Sequence, residues 1–365
     1  MARVQSREEQ SGNVGRGGWG IDCSQRHVGC PARPYAVISD DDMRMQTILI
    51  LSHRRGFEAD HVIDAIRRRG FPVMRFNADL DVPGTAINID LTTSPPRLAL
   101  TCDGRTIAGD DVAVAWFQQP PDKPIKTEAD REALQRLSWT TAYYSFCDRL
   151  TCQWLNAPRR VREASCKPAQ LALAQEIGLA VPRTLVTNDT TRLRQFLRSC
   201  NDGVVVKNLN TPWYVDRSGQ TLAAFTQRLS VTALDDPLAV EFAPVIYQEF
   251  IDRTEDIRVV VIGNSVFAAV THPTTDDARV DIRRTPLHET RYHATTLSAS
   301  LERLLLQLMK RLDLGYGAID LAVARDGKAY FLEVNCTGTF LWIERLAGLP
   351  ITDAIVDYLI AHLAR

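Results

Sequence analysis

The stretch AIDLAVARDGKAYFLEVN, residues 318–335, constrains the fold more than any other part of this 365-residue chain. It holds two mainly apolar runs separated by Asp326 and Gly327. Asp-Gly is typical of two-residue hairpin turns, because type I′ geometry needs a positive φ at both central positions. With that turn, Arg325 pairs with Lys328, and this first pair fixes which residues of the two strands lie opposite each other. The sequence therefore predicts an antiparallel hairpin of defined register.

That register brings three polar side chains together inside the hairpin. Asp320 lies directly opposite Glu333, and opposed side chains share a face with their Cβ atoms about 5 Å apart. Asn335 lies on the same face, two residues further along. Opposed carboxylates repel each other, and a bound cation would remove that cost; two carboxylates and an amide oxygen suit Mg²⁺. The alternative is an exposed polar face with solvated or protonated carboxylates.

Composition argues against several classes of protein. The chain is 45% hydrophobic and 24% charged with a formal net charge of −1, which indicates a globular protein without the basic excess of a nucleic-acid binder. Its eight cysteines form no C-x-x-C pair, so we expect reduced, mostly buried thiols. The first 44 residues hold no apolar run like a signal-peptide core, and no run in the chain is long enough to span a membrane. We therefore expect a cytoplasmic protein with no nucleic-acid or membrane partner.

The chain divides by pattern into an extension and two larger parts. Residues 1–44 lack sustained periodicity and predict a disordered extension. Residues 45–156 begin with a β-α-β pattern and predict an N-terminal α/β domain. Residues 157–365 predict a second unit of two lobes, a smaller one at about 165–250 and a larger one at about 251–365.

Hydrophobic periodicity gives the individual elements. Helices are predicted at 57–70, 128–150, 166–178, 301–314 and 351–365. Strands are predicted at 46–52, 71–77, 85–91, 97–102, 112–117, 202–209 and 245–251, and a further strand is predicted after Pro182. Residues 257–270 predict a hairpin whose tip is Gly263-Asn264.

Two lysines lie where they could meet phosphate groups. Lys207 ends the apolar run VVVK, and an ammonium at the end of a core strand is costly to bury unless it is paired. Lys167 stands at the start of a predicted helix. The alternative for both is an ordinary lysine whose stem is buried and whose ammonium reaches water.

The segment YQEFIDRTEDIR, residues 247–258, is more distinctive. Its extended backbone could pair with the edge of a purine ring. Asp256 could accept hydrogen bonds from ribose hydroxyls, and Arg258 could face a phosphoryl group or a substrate carboxylate. The alternative is that Glu249, Asp256 and Arg258 are surface charges.

Taken in order, these motifs resemble those of ATP-grasp ligases. The motifs are Lys167, VVVKN, YQEFI, DIR, AIDL and FLEVN, and the resemblance covers roughly residues 160–365. It implies an ATP-grasp fold, with two α+β lobes clasping ATP, preceded by a pre-ATP-grasp domain. It implies ATP and Mg²⁺ as cofactors, with these sites: phosphates at Lys167 and Lys207, adenine at Gln248, Glu249, Phe250 and Ile251, ribose at Asp256, and Mg²⁺ at Asp320, Glu333 and Asn335.

A narrower resemblance is to the peptide maturases that make microviridins and other graspetides. It rests on the closing motif FLEVN-x-x-G-x-x-x-WIE-x-x-x-GLPI, the opening ILILSHRRGFEADHVIDAIRRRGFPVMRFN, and WFQQP. It implies that Arg283, in VDIRRT, contacts the substrate. The sequence departs from the family pattern at Gln118-Gln119, where arginines are usual, and at residues 336–339, Cys-Thr-Gly-Thr.

The resemblance implies a reaction in which ATP phosphorylates an Asp or Glu side chain of a ribosomal precursor peptide, made of leader and core. A hydroxyl or amine of the same peptide then displaces phosphate and closes a macrolactone or macrolactam. Lys207, Arg258 and Arg283 would be the catalytic cations. The alternatives are a RimK-like ligase that adds a free amino acid, and an inactive nucleotide-binding module. A homodimer is expected from family resemblance alone.

Overall fold

The computed structural model describes residues 46–79, 84–119, 130–209, 213–215, 220–230 and 240–363. The predicted disordered extension, residues 1–44, lies outside these ranges. In the part of the chain described, no helix has both the length and the apolar character needed to cross a membrane.

The N-terminal stretch builds a parallel sheet with a smaller antiparallel sheet beside it. Its elements are β1 (Thr47–Ser52), α1 (Phe57–Arg68), β2 (Val73–Asn77), β3 (Ala86–Asp90), β4 (Arg97–Cys102), β5 (Arg105–Ala108), a 3₁₀ turn (Gly109–Asp111), β6 (Val112–Phe117), α2 (Asp130–Arg149) and β7 (Gln153–Leu155). The parallel sheet has the order β2-β1-β6-β7, and the antiparallel sheet has the order β3-β4-β5. Because β1 is apolar and buried along nearly its whole length, it occupies the centre of its sheet.

The middle of the chain forms a four-stranded antiparallel sheet. Its elements are α3 (Pro158–Ala164), α4 (Lys167–Glu176), β8 (Thr184–Thr187), α5 (Thr190–Arg198), β9 (Val204–Lys207), β10 (Trp213–Val215), β11 (Thr221–Ala223), β12 (Gln227–Arg228) and β13 (Val245–Glu249). The sheet has the order β12-β9-β13-β8, and β10 pairs separately with β11. Asp189 caps α5 by accepting hydrogen bonds from the N–H groups of Thr191 and Arg192.

The last third of the chain forms a five-stranded sheet with helices packed against it. Its elements are β14 (Arg253–Ile262), β15 (Ser265–Thr271), α6 (Asp276–Val280), a 3₁₀ turn (Ile282–Arg284), β16 (His293–Thr295), α7 (Ala299–Arg311), β17 (Tyr316–Ala324), β18 (Ala329–Asn335), α8 (Leu341–Ala347) and α9 (Ile351–Ala361). The strand order is β16-β15-β14-β17-β18, so β18 lies at an edge.

The hairpin of β14 and β15 confirms its predicted turn. Ile262 pairs with Ser265, which leaves Gly263 and Asn264 as the two turn residues. Gly263 has a φ of +56°, a conformation that glycine adopts at no steric cost.

The turn between β17 and β18 differs from the prediction. The N–H of Ala324 donates to the carbonyl of Lys328 over 2.9 Å, which leaves a three-residue loop, residues 325–327. Gly327 has a φ of +82°, whereas Asp326 does not adopt a positive φ. The predicted type I′ turn is therefore wrong, and a longer loop that needs only one left-handed residue replaces it.

A β-bulge in β18 compensates for the longer turn. Leu321 pairs with Phe331, but Asp320 pairs with Glu333, so Leu332 is an extra residue on its strand. Because of the bulge, residues 318–320 pair with residues 333–335 in the predicted register. The predicted opposition of Asp320 and Glu333 is confirmed, although the predicted two-residue turn is replaced by a three-residue loop.

One apolar core connects the first sheet to the last. It includes Leu49, Phe117, Tyr143, Leu308 and Ile319, all less than 3% exposed. Continuous packing of this kind holds the parallel sheet and the five-stranded sheet in a fixed arrangement.

Candidate active site

The open end of the β17–β18 hairpin carries the three side chains predicted to bind a metal. Asp320 lies opposite Glu333, and Asn335 lies opposite Ala318. The Asn335 amide nitrogen donates to Oδ2 of Asp320 over 3.3 Å. Asn335 and Asp320 are thus in contact, and Glu333 is the directly opposed partner of Asp320.

Arg258 lies on the neighbouring strand β14, opposite Asp320. Its Nη1 donates to Oδ1 of Asp320 over 2.8 Å, and its Nη2 donates to the carbonyl of Thr339 over 3.2 Å. Burial alone would lower the pKa of Arg258, but the carboxylate of Asp320 outweighs it, and the pKa is raised. Arg258 therefore stays charged next to the predicted metal site. Its Nε has no hydrogen-bond partner among the residues described.

Lys167 reaches the same cluster from the first turn of α4. Its Nζ lies 3.1 Å from Oε2 of Glu333, and both side chains are 23% exposed. Burial alone would raise the pKa of Glu333, but Lys167, together with Lys207 and Arg283, holds that pKa below its usual range. Glu333 is therefore ionised near neutral pH.

Lys207 lies at the end of β9 and approaches Glu333 from the four-stranded sheet. Its Nζ donates to Oε1 of Gln248 over 2.7 Å, and the Gln248 amide nitrogen donates to the hydroxyl of Thr184 over 2.9 Å. Burial lowers the pKa of Lys207 to about 8, although the charge of Glu333 opposes this shift. A desolvated ammonium next to a neutral amide is suited to an anionic ligand.

The segment predicted to contact adenine, residues 248–251, spans the end of β13. The N–H of Glu249 donates to the carbonyl of Arg183 over 2.8 Å, and the N–H of Phe250 donates to the carbonyl of Gly203 over 3.0 Å. The guanidinium of Arg228 lies 3.7 Å from the ring centroid of Phe250. These contacts fix the backbone that leads into Ile251.

Asp256, predicted to contact ribose, lies on β14 two residues before Arg258 and therefore on the same face. Its Oδ2 lies 3.0 Å from Nε of Arg253, without the alignment of a hydrogen bond. Burial raises the pKa of Asp256 to about 7; Arg253 opposes that shift and the nearby charge of Asp320 adds to it. Asp256 thus belongs to the buried charge cluster and is not a surface carboxylate.

Arg283, predicted to contact the substrate, is held by a buried carboxylate. Its Nε and Nη2 donate to the two oxygens of Asp281 over 2.8 and 2.6 Å, and Asp281 also accepts the N–H of Thr226 over 3.0 Å. The Arg283 side chain is 48% exposed, and its guanidinium lies 5.3 Å from the ring centroid of Phe225. Arg283 therefore presents a fixed cation at the solvent boundary, next to the segment 220–230.

A buried network around Glu58 was not foreseen from the sequence. Glu58 is 1% exposed, and its Oε1 accepts the N–H groups of Phe340 and Leu341 over 2.7 and 2.9 Å at the start of α8. Its Oε2 accepts from the amide of Gln118 over 3.1 Å, and Gln118 accepts from the hydroxyl of Ser52 over 3.0 Å. Gln118, a departure from the family pattern, is therefore a buried partner of Glu58 and does not face solvent.

The donor set fits a hard divalent cation. In the ranges described, no three His, Cys, Asp or Glu side chains form a metal-binding group by themselves. A cation at the hairpin would use the carboxylates of Asp320 and Glu333 with the amide oxygen of Asn335, and oxygen ligands of this kind are those that Mg²⁺ prefers. Lys167 contacts Oε2 of Glu333, so Oε1 is the oxygen of that carboxylate that would meet a cation.

The second half of the chain is similar in sequence to known proteins. Residues 164–359, more than half of the chain, match the sequence model of the RimK-like ATP-grasp domain. A curated protein of Haemophilus influenzae, described as a probable alpha-L-glutamate ligase, is 25% identical over 208 residues, which cover 56% of this chain and 66% of that relative. The chain thus spans just under two thirds of the length of this curated relative.

Two solved structures are similar over most of the chain. The macrocyclase MdnC of Microcystis aeruginosa, bound with its precursor peptide MdnA, is 25% identical with a TM-score of 0.76, covering 86% of this chain and 99% of MdnC. A RiPP-associated ATP-grasp ligase of Chryseobacterium gregarium, in complex with ADP and a leader and core peptide, is 24% identical with a TM-score of 0.78, covering 87% of this chain and 97% of that one.

Proposed function

Because the chain belongs to the RimK-like ATP-grasp family, whose relatives include ligases, we propose that it is an ATP-dependent ligase that closes rings in a ribosomally made peptide. The ring would join an Asp or Glu side chain of the precursor to a hydroxyl or amine of the same precursor. We place this reaction in the cytoplasm.

One observation carries the proposal. The anionic pair Asp320 and Glu333 is matched by three cations, Arg258, Lys167 and Lys207, which reach it from two different sheets and a helix. A cluster of fixed charges suits phosphoryl transfer, because the catalysis of that reaction is mostly positioning and electrostatic stabilisation.

The nucleotide would lie between the four-stranded and the five-stranded sheet. Lys167 and Lys207 would bind its phosphates, and Asp256 its ribose. Gln248 and the backbone of residues 249–251 would bind adenine. The N–H groups of Glu249 and Phe250 already donate to protein carbonyls, so the N–H of Ile251, which has no acceptor in the described part of the chain, is the donor left for the adenine ring.

Asp320, Glu333 and Asn335 would hold Mg²⁺, which supplies Lewis-acid stabilisation of charge on the phosphates when bound. Arg258 would stabilise the transferring phosphoryl group from the side of Asp320. Its contact with the carbonyl of Thr339 fixes the orientation of the guanidinium before a substrate arrives.

The chemistry would proceed in two steps. A carboxylate oxygen of the peptide forms a bond to the γ-phosphorus of ATP, and the bond between that phosphorus and the β–γ bridging oxygen breaks to release ADP. The hydroxyl or amine of the peptide then attacks the acyl carbonyl, loses its proton and expels inorganic phosphate. Arg283, half exposed and held by Asp281, would bind the peptide near its reacting carboxylate.

The peptide substrate is supported by the two solved neighbours, of which one holds a precursor peptide and the other a leader and core peptide. A second candidate is a ligase that adds a free amino acid to a carboxylate, and the resemblance to the probable alpha-L-glutamate ligase favours it. Both functions use the same ATP site and differ in the acceptor.

The test is to incubate the purified protein with ATP, Mg²⁺ and a short peptide encoded beside its gene, and then to weigh the peptide. Loss of one water per ring would support peptide cyclisation. An unchanged peptide, with ATP hydrolysis that requires an added free amino acid, would support the second candidate. No ATP turnover in either case would contradict both and favour a nucleotide-binding module without ligase activity.

A further inference from the structure

Gln170 lies on α4, three residues after Lys167, and is 1% exposed. Its amide nitrogen donates to the carbonyl of Val334 over 2.9 Å and to that of Ala164 over 2.6 Å. Its amide oxygen accepts the N–H of Val334 over 3.0 Å. One side chain therefore binds both polar groups of a single backbone residue, as a neighbouring strand would.

Val334 stands between Glu333 and Asn335 in the chain. It belongs to β18, an edge strand, and an edge strand has backbone groups that no further strand pairs. The bulge at Leu332 interrupts the pairing of β18 with β17 immediately before Glu333. The hydrogen bonds between β17 and β18 therefore hold this part of β18 only weakly. Gln170 supplies hydrogen bonds to Val334 on the edge of β18 that faces away from β17.

A second buried amide fixes the chain on the far side of Asn335. Asn156 is 2% exposed, and its nitrogen donates to the carbonyls of Tyr316 and Cys336 over 2.7 and 2.8 Å. Its oxygen accepts the N–H groups of Gly315 and Tyr316 over 2.8 and 2.9 Å. The residues before and after Asn335 are thus both held by buried amides, each with its donors and acceptor in use.

We propose that Gln170 is a positioning residue for the metal site, which sets the affinity for the cation by holding Val334 and so aiming Glu333 and Asn335. This inference rests on the proposed function, because it takes those two side chains as metal ligands. Partners that orient ligands from outside the site typically change metal affinity by about 10- to 100-fold when they are removed.

The experiment measures metal binding without turnover. The full chain is titrated with Mn²⁺ in the presence of ADP, and free Mn²⁺ is read from its electron paramagnetic resonance signal. Gln170→Met keeps the length and volume of the side chain but removes all three hydrogen bonds. We expect it to weaken Mn²⁺ binding by about 10- to 100-fold. Gln175→Met, at an exposed position of the same helix, is the matched control and should bind Mn²⁺ like the unmodified protein.

A second variant keeps the test decisive if Gln170→Met does not fold. Gln170→Glu retains the oxygen that accepts from Val334 but loses both donated bonds, and it adds a negative charge near Glu333. Charge alone would tighten the binding of a cation, so weaker Mn²⁺ binding by this variant supports the positioning role. Binding of adenosine, which needs no metal, should be unchanged in every variant that folds, because its expected contacts lie on residues 248–251 and Asp256.

The outcomes separate the inference from the function on which it rests. If the unmodified protein binds no Mn²⁺ with ADP, the metal site is wrong and the role of Gln170 is wrong with it. If the unmodified protein binds Mn²⁺ and the folded Gln170 variants bind it equally tightly, the metal site stands and the role of Gln170 is overturned.

Discussion

Nζ of Lys167 and Oε2 of Glu333 lie 3.1 Å apart, so a lysine expected to bind phosphate is paired with a carboxylate expected to bind metal. The neighbouring pair of Arg258 and Asp320 repeats this pattern over 2.8 Å. Without ligands, the positive charges of Lys167 and Arg258 balance the negative charges of Glu333 and Asp320. A nucleotide brings negative phosphates and a bound metal cation. The phosphates could replace the carboxylates as partners of Lys167 and Arg258 while the metal cation pairs with Glu333 and Asp320, so that no buried charge is left unpaired.

Glu333→Gln should reduce ADP formation by at least about 100-fold, because the amide can neither pair with Lys167 as an anion nor replace a charged metal ligand. Steady-state release of ADP measures this. Glu289→Gln changes an exposed carboxylate and should leave the rate within about twofold. Equal rates for both variants would contradict the assignment of Glu333 to the active site.

Lys207 should make nucleotide binding depend on pH. Its pKa of about 8 means that the ammonium loses its proton in the free protein as the pH rises through that value. A bound phosphate favours the charged form, so the Kd for ADP should rise by up to about tenfold per pH unit above pH 8. Calorimetric titration at several pH values gives the profile. Lys207→Met should bind more weakly with a flat profile, whereas Lys310→Met should retain the slope.

Asp256 should make stability fall as the pH rises from about 4 to about 7. Its folded pKa of about 7 exceeds the ordinary value of 3.8, so in this range the folded protein keeps a proton that the unfolded chain has released. This group therefore lowers the free energy of unfolding by up to about 1.4 kcal/mol per pH unit. The free energy of unfolding of Asp256→Asn, measured with urea at several pH values, should lack this decrease with pH.

The control for Asp256 is Asp276→Asn, which changes a carboxylate that is 99% exposed. It should retain the pH dependence of the unmodified protein. A pH dependence that is identical in all three proteins would show that Asp256 is ionised in the folded state well below pH 7.

Glu58→Ala should destabilise the protein by about 3 kcal/mol, because it leaves the N–H groups of Phe340 and Leu341 and the amide of Gln118 buried without an acceptor. Glu58→Gln keeps an oxygen for the two N–H groups and should cost about 1 kcal/mol. Chemical unfolding measures both. Asp64→Ala, at an exposed position of the same helix, should change the free energy of unfolding by less than about 0.5 kcal/mol.

The comparisons and the structure confirm much of what the sequence predicts. The ATP-grasp fold and the family resemblance are confirmed, because ordered motifs and strand periodicity encode them locally. The opposition of Asp320 and Glu333 is confirmed despite a wrong turn, since the longer loop and the bulge at Leu332 offset each other. A bulge leaves no simple pattern in an apolar strand, so its position was not predictable.

Other features depend on contacts between distant parts of the chain. Gln170 and Asn156 are ordinary residues in the sequence, and only the fold brings them next to the hairpin that carries the predicted metal ligands. Gln118 differs from the family pattern in a motif expected to face substrate, yet it is buried against Glu58. The roles assigned to the site residues, including the metal ligands and the nucleotide contacts, the domain division and the homodimer remain predictions.

The bulge at Leu332 has a consequence for how the hairpin tolerates change. It separates a solvent-facing tip, whose loop closes between Ala324 and Lys328, from a base that carries the predicted metal ligands. A one-residue insertion or deletion at the tip can be absorbed where the pairing already shifts, without turning Glu333 and Asn335 to the opposite face. The length of the hairpin loop can therefore change between related sequences while Glu333 and Asn335 keep their positions opposite β17.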